Sequence, residues 1–101
     1  MIMGKINLEE KNKSAHNDFN PVELSEGITI EPSRDVKNGN YAVEGNVIRN
    51  EKNIGRFVYD ETGNRIFINV SADDIVRNTR RAIVESVSDI ILSLVPEDPA
   101  E

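Results

Sequence analysis

The chain has 101 residues, no cysteine and a formal net charge of −6. A chain of this length forms one domain, and the lack of cysteine excludes disulfides and thiolate metal sites. The net negative charge argues against non-specific binding to nucleic acid, because proteins that bind nucleic acid normally carry a basic surface. The N-terminus has no signal-peptide core, and residues 90–95 are too short an apolar run to cross a bilayer. We therefore expect a cytoplasmic or virion protein that binds neither nucleic acid nor membrane.

The first part of the chain differs in composition from the rest. Residues 1–26 contain few apolar side chains, which favours an extended polar arm over a packed element. Phe19, Val22 and Leu24 offer a short docking segment, so one interpretation is an arm held by a protein partner. The alternative is a leader strand that covers an edge of its own sheet. Residues 27–96 then form the single α+β domain, and residues 97–101 form an acidic tail.

Four segments of the domain alternate apolar and polar residues with the period of two that predicts half-buried strands. They lie at about residues 28–31, 41–48, 54–60 and 66–70. Asn38-Gly39 is a strong hairpin signal, and Gly63 is expected in the left-handed position of the last hairpin. Pro32 is expected to break the first strand or confine it to an edge, and Gly45 to mark a bulge. Because the connections are short, the segments predict an antiparallel meander.

Apolar residues occur on both faces of these strands. Phe67 lies opposite Ile66 and Ile68 in the alternation, and Ile48 lies opposite Val47. A sheet with one solvated face does not need apolar groups on both sides. We expect one face to meet a helix and the other to be partly covered by the arm or by another chain.

A long helix follows the last strand. Ser71 is expected to open it, because its hydroxyl can accept the amide of Asp74, and carboxylates at Asp73 and Asp74 suit the positive end of the helix dipole. Pro96 marks the end, so the helix should run to Val95. The predicted fold is α+β: a four-stranded antiparallel meander followed by one long C-terminal helix, with an extended polar N-terminal arm.

This helix carries more apolar surface than one sheet face can cover. Its first half is amphipathic, but its last two turns are apolar nearly all round. Exposing a large apolar side chain forgoes about 1.5–3 kcal/mol, so helix–helix contact in a homo-oligomer is the favoured explanation. The alternative is that the sheet curls around the helix end or the arm packs there. The expected oligomer interface consists of Ile83, Val87, Ile90, Ile91, Leu92, Leu94 and Val95.

The sequence contains no recognisable catalytic motif. The single histidine, His16, lies in the arm, and no nucleophile has a plausible histidine partner. No glycine-rich loop leads from a strand into a helix, so phosphate binding has no support. Asp73-Asp74 and Asp60-Glu61 are explained by capping and turn roles. We expect no enzyme activity, no cofactor and no metal site.

One local basic cluster lies on the predicted helix. It predicts either a docking patch for an acidic partner or a solvated helix face whose charges pair with neighbouring acids, and the second interpretation is favoured. A nucleic-acid site is the remaining alternative for this cluster. Its members, which complete the candidate partner-binding residues, are Arg77, Arg80 and Arg81.

Together these features predict a non-catalytic structural or interaction protein. It would self-assemble through its C-terminal helix and dock a partner through its N-terminal arm. Abundant asparagine and isoleucine are typical of AT-rich bacterial and phage genomes, so a minor phage virion or decoration component is one concrete form. The alternative is a small acidic phage or mobile-element regulator that inhibits a host protein by mimicking nucleic-acid charge, which predicts carboxylates clustered on one surface.

Overall fold

The structure, a computed structural model, describes residues 16–95. They form an antiparallel sheet of six strands and one helix. The elements are β1 (His16–Asp18), β2 (Val22–Glu23), β3 (Ile28–Lys37), β4 (Asn40–Arg49), β5 (Lys52–Asp60), β6 (Arg65–Val70) and α1 (Arg77–Leu94). The predicted meander corresponds to β3 to β6, in which each strand pairs with the next. The acidic tail and the first part of the arm lie outside the described residues.

One edge of the sheet is built around Pro32. The expectation that this proline breaks its strand is wrong, because β3 runs through it for 10 residues. The Phe19 amide donates to the Pro32 carbonyl at 3.1 Å. The two backbone groups of one strand residue point the same way, so the proline nitrogen, which has no hydrogen to donate, faces this side too. The neighbouring segment is interrupted there, between β1 and β2, which both pair with β3.

The predicted turns are mostly present. Asn38 and Gly39 have φ of 52° and 81°, as expected for the two central residues of a type I′ hairpin. In the β5–β6 hairpin the left-handed residue is Asn64, with φ of 56°, and not Gly63. Asparagine tolerates this region because its short polar side chain bonds locally, which makes it a competitor of glycine in any turn.

Gly45 does not mark the bulge: the β4–β5 register shifts between Val47 and Ile48, and the extra residue is Ile54 of β5. A Cβ at Gly45 would lie 2.6 Å from the ring of Phe57 and 2.7 Å from the Glu31 carbonyl oxygen. The missing side chain therefore makes room for the Phe57 ring, which is fully buried. Close packing, rather than strand irregularity, explains this glycine.

The helix begins later than Ser71. Asp74 has φ of 60°, and α1 starts at Arg77 with Val76 as a cap that makes no side-chain bond. The preceding turn is held by Arg49, whose Nη1 and Nη2 donate to the carbonyls of Asp73 and Asp74, each at 3.3 Å. A contact distant in sequence thus overrides local capping. The predicted end holds to within one residue, since Leu94 is the last helical residue.

The core lies between α1 and one face of the sheet. Residues with even numbers in β3 and β6 and with odd numbers in β4 face the helix, as do those with odd numbers in β5 from Gly55 onward, after the bulge. The buried helix residues follow one stripe. The hydrophobic core comprises Phe19, Ile28, Ile30, Val43, Val47, Phe57, Ile75, Ile83, Val87, Ile90 and Leu94.

Candidate interaction surface

The predicted oligomer interface divides into two groups. The structure buries Ile83, Val87, Ile90 and Leu94 in the chain's own core, so these four are not available to a second subunit. Sheet packing uses them because they form the one continuous stripe of α1. The remaining three members are placed differently: Ile91 and Val95 are half-buried, and Leu92 is 69% exposed.

The predicted docking segment of the arm also packs on its own chain. Phe19 is 7% exposed and belongs to the core, under the guanidinium of Arg34 at 5.4 Å from its ring centroid. Val22 and Leu24 are half-buried against the same core. These residues cover the β3 edge, which is the leader-strand interpretation of the arm. They are occupied within the chain, and so offer little to a partner.

The basic cluster on α1 is exposed. Arg80 is engaged locally: its Nε donates to the Ile75 carbonyl at 2.8 Å and its Nη2 to the Ala72 carbonyl at 3.4 Å. It therefore closes the turn that precedes the helix. Arg77 and Arg81 are exposed on the surface of α1.

His16 forms a small polar cluster at the covered edge. Its Nδ1 lies 2.5 Å from Asp35 Oδ1 and its Nε2 lies 3.1 Å from Asp18 Oδ1. The imidazolium form supplies a donor to each carboxylate. The hydrogen bond to Asp35, ahead of the contact with Asp18, raises the pKa of His16 above its ordinary value. The cluster ties β1 to β3, which is a structural role.

The opposite edge of the sheet is open and apolar. β6 has the sequence Arg-Ile-Phe-Ile-Asn-Val, and within residues 16–95 no strand pairs with its outer side. Ile66, Phe67 and Ile68 are 66%, 51% and 37% exposed. Sheets normally blunt such edges with proline, lysine, bulges or very short strands. β6 has none of these, and Arg65 is its one charged residue.

The outward backbone groups of β6 follow from one hydrogen bond. The Ser71 amide donates inward to the Ile54 carbonyl at 2.8 Å. Successive strand residues alternate in direction, so Phe67 and Asn69 also bond toward β5. The N–H and C=O groups of Ile66, Ile68 and Val70 point outward, and no strand within residues 16–95 pairs with them. Their side chains lie on the helix side of the sheet.

The direction of α1 determines which of its flanks faces this edge. Arg34 Nη1 donates to the Leu94 carbonyl at 3.0 Å, and Arg34 is level with Ile66 through Val43 and Tyr59. The helix thus ends level with the start of β6 and runs opposite to it.

Handedness then fixes the flank. Consider β6 viewed from the side of α1, with the strand running upward. In L-amino acids the residues whose side chains point toward the viewer have their N–H and C=O groups on the right, so the open edge of β6 is on the right. In this view α1 runs downward. Because the helix is right-handed, the side chains that lie about 90° past its buried stripe also project to the right, toward the open edge. The second half of α1 presents Val84, Ile91 and Val95 on this flank, with Ser88 between them. Arg77 and Arg80 lie on the same flank in the first turns of the helix.

Together the edge and the flank form what we call the apolar shelf. Its floor is the helix side of β6 and its wall is this flank of α1, with Leu92 projecting further from the sheet. The shelf has outward backbone donors and acceptors, apolar side chains and no buried charge. A surface of this kind suits strand addition, in which an extended segment joins a sheet edge by backbone hydrogen bonds and apolar packing. The shelf residues are Ile66, Ile68, Val84, Ile91 and Val95.

The sheet face away from α1 is mixed in charge. Glu44 accepts from Arg56 Nη2 at 2.9 Å, and Glu31, Asp35 and Asp60 share this face with further lysine and arginine side chains. A 520 Å³ depression here is lined by residues that include this ion pair. The interleaving of signs counts against a surface that mimics nucleic acid. Among the described residues, no cluster of three metal-ligating side chains occurs.

Two further observations concern the whole described chain. No helix in residues 16–95 combines the length and the apolar character needed to cross a membrane. Comparison with protein-family models, with curated proteins and with solved structures finds no match.

The open edge at β6 is not among the features predicted from the sequence. The signal was present, because Arg65–Val70 is a six-residue run of high β-propensity without proline or glycine. The alternation of apolar residues predicts β6 only as the last strand of a meander. Its position at an edge, with the helix over the other strands, depends on packing that the local sequence does not show.

Proposed function

We propose that this chain is a non-catalytic structural or interaction protein that assembles with further copies of itself. The supporting observation is the open apolar edge at β6, continuous with an apolar flank of α1. A domain of this size is only marginally stable alone. Fully burying a side chain such as Ile66 or Phe67 contributes about 1.5–3 kcal/mol, so a partner that covers this surface stabilises the fold.

The part that α1 plays in this assembly is narrower than the sequence predicts. Four of the seven candidate residues pack on the chain's own sheet. An intersubunit contact therefore rests on Ile91, Leu92 and Val95, to which the structure adds Val84, at 53% exposure. Val84, Ile91 and Val95 lie beside the open edge of β6, so this part of the helix flank and the strand edge act as one surface, with Leu92 further from the sheet.

Binding of a separate protein by the N-terminal arm is a weaker part of the proposal. Phe19, Val22 and Leu24 are engaged within the chain. The rest of the predicted arm, residues 1–15, lies outside the described residues. A minor virion or decoration component of a phage is the concrete form we favour, since such proteins act by assembly and need no catalytic group.

Light scattering on the purified chain, from low to high micromolar concentration, tests the proposal. We expect a mass of two or more copies that falls on dilution. Val84→Glu should lower the mass at each concentration while the circular dichroism of the sheet is retained, because Val84 is 53% exposed on the flank beside β6. Ser93→Glu is the matched control, because it adds the same charge at an exposed position on the other flank of α1. A mass of one copy at every concentration would contradict self-assembly.

A further inference from the structure

The open edge of β6 is self-complementary. We propose that two copies of the chain pair there, β6 against β6, in an antiparallel register centred on Ile68. The proposal rests on the proposed function, since it names the surface and the geometry of the self-assembly. It places a twofold axis perpendicular to the sheet, so that two sheets become one continuous sheet with both helices on the same side.

The backbone favours this register over the one centred on Phe67. With Ile68 facing Ile68 of the second copy, Ile66 faces Val70 of the second copy, and the reverse holds by symmetry. Every outward N–H and C=O of β6 then has a partner, which gives about six interchain hydrogen bonds. Centring on Phe67 instead would place Val70 opposite Asn64 of the second copy. Asn64 has φ of 56° and belongs to the turn, so that register loses pairs.

The side chains agree with the same register. On the helix side, isoleucine and valine meet isoleucine and valine, which are favourable cross-strand pairs. On the other face, Phe67 lies beside Asn69 of the second copy. The pattern from Ile66 to Val70 is apolar at each outward position in either direction of reading. A second copy of β6, running in the opposite direction, therefore places apolar residues opposite all three outward residues.

Charge also favours a second copy at this edge over contact elsewhere on the surface. Each chain carries a net charge of −6, so most faces of two copies repel each other. β6 is an exception, because Arg65 is its one charged residue. In the proposed register Arg65 lies beside Ser71 of the second copy, two positions before the exposed Asp73 of the second copy. Opposite charges thus approach each other, and Arg65 does not face itself.

Cysteine crosslinking tests the register directly, because the chain has no cysteine of its own. In Ile68→Cys the two facing Cα atoms should be about 5.5 Å apart, within the range that a disulfide spans. Mild oxidation should then give a crosslinked dimer as the main product. Ile66→Cys is the matched control, since its two copies are on the order of 13 Å apart along the strands and should crosslink far more slowly.

A proline variant tests the edge without new chemistry. Ile68→Pro removes an N–H that points outward, so it breaks no bond of the chain's own sheet. We expect dimerisation about tenfold weaker or worse, which is about 1.4 kcal/mol or more, with sheet content unchanged. Ile68→Val is the control that keeps the N–H and should dimerise like the parent chain.

The outcomes separate this inference from the proposed function. A chain that is monomeric at all concentrations overturns both. A dimer that survives Ile68→Pro, or that crosslinks equally through Ile66→Cys and Ile68→Cys, keeps self-assembly and overturns the β6 register. A dimer that crosslinks selectively through Ile68→Cys and is weakened by Ile68→Pro supports both.

Discussion

The two edges of the sheet are built in opposite ways. At the covered edge, β1 and β2 pair with β3, the strand pairing is interrupted at Pro32, and Phe19 is buried in the core. At the open edge, β6 presents Ile66 and Phe67 to solvent, and no strand of residues 16–95 pairs beyond it. Proteins protect sheet edges against unwanted pairing by the devices seen at the first edge. The described residues of the second edge carry none of these devices, and the proposed pairing with a second copy rests on this contrast.

Two phenylalanines give the largest expected contrast between the edges. Phe19→Ala should lower the free energy of unfolding by about 3 kcal/mol, because it leaves a cavity under β3 and removes an anchor of the arm. Phe67→Ala, at a side chain that is 51% exposed, should change it by about 0.5 kcal/mol or less in the monomer. Urea unfolding at low protein concentration measures both. Equal losses would mean that the edges do not differ as described.

Two arginines give the next contrast. Arg34 donates to the Leu94 carbonyl at 3.0 Å and lies over the rings of Phe19 and Tyr41, so it links the end of α1 to the covered edge. Arg34→Ala should cost about 1.5–3 kcal/mol, the range for a hydrogen bond to a charged group. Arg65→Ala, at the exposed start of β6, should cost about 0.5 kcal/mol or less. The same unfolding experiment distinguishes them, and an Arg34→Ala variant as stable as Arg65→Ala would contradict this role.

Much of the fold could be predicted from the sequence, because its signals are local. Alternation of apolar residues predicts the strands of the meander, and Asn38-Gly39 predicts a hairpin that the structure contains. The errors occur where distant contacts decide. The start of α1 depends on Arg49 holding the carbonyls of Asp73 and Asp74. The continuity of β3 through Pro32 depends on a gap in the neighbouring strand, which no window of sequence around the proline reveals.

The candidate surface was predicted less completely. The surplus of apolar residues at the end of α1 is visible in the sequence, and Leu92 is indeed 69% exposed. However, the residues that pack on the sheet could not be separated from those left outside without the path of the helix. The arm residue Phe19 was open to two interpretations, because its burial depends on Arg34 and β3.

The smallest expected effect concerns His16 at the covered edge. Its pKa is raised chiefly by the hydrogen bond to Asp35, so the pairing of β1 with β3 favours the protonated imidazole of His16. This contribution is fully present below the unfolded-state pKa and is lost as pH rises through the folded-state pKa. In an NMR titration, Asp35→Asn should lower the pKa of His16, and Asp60→Asn, on the same face but away from β1, should leave it unchanged. A pKa of His16 that is equal in the parent chain and both variants would contradict this role of Asp35.

Amide hydrogen exchange along β6 tests most directly whether this edge is reserved for a second copy. The inward amides of Phe67 and Asn69 bond to β5, so they should exchange slowly at every protein concentration. The outward amides of Ile66, Ile68 and Val70 should exchange fast in dilute solution and become protected as concentration rises and the mass doubles. Outward amides that stay fast in a solution shown to be dimeric would contradict pairing at β6.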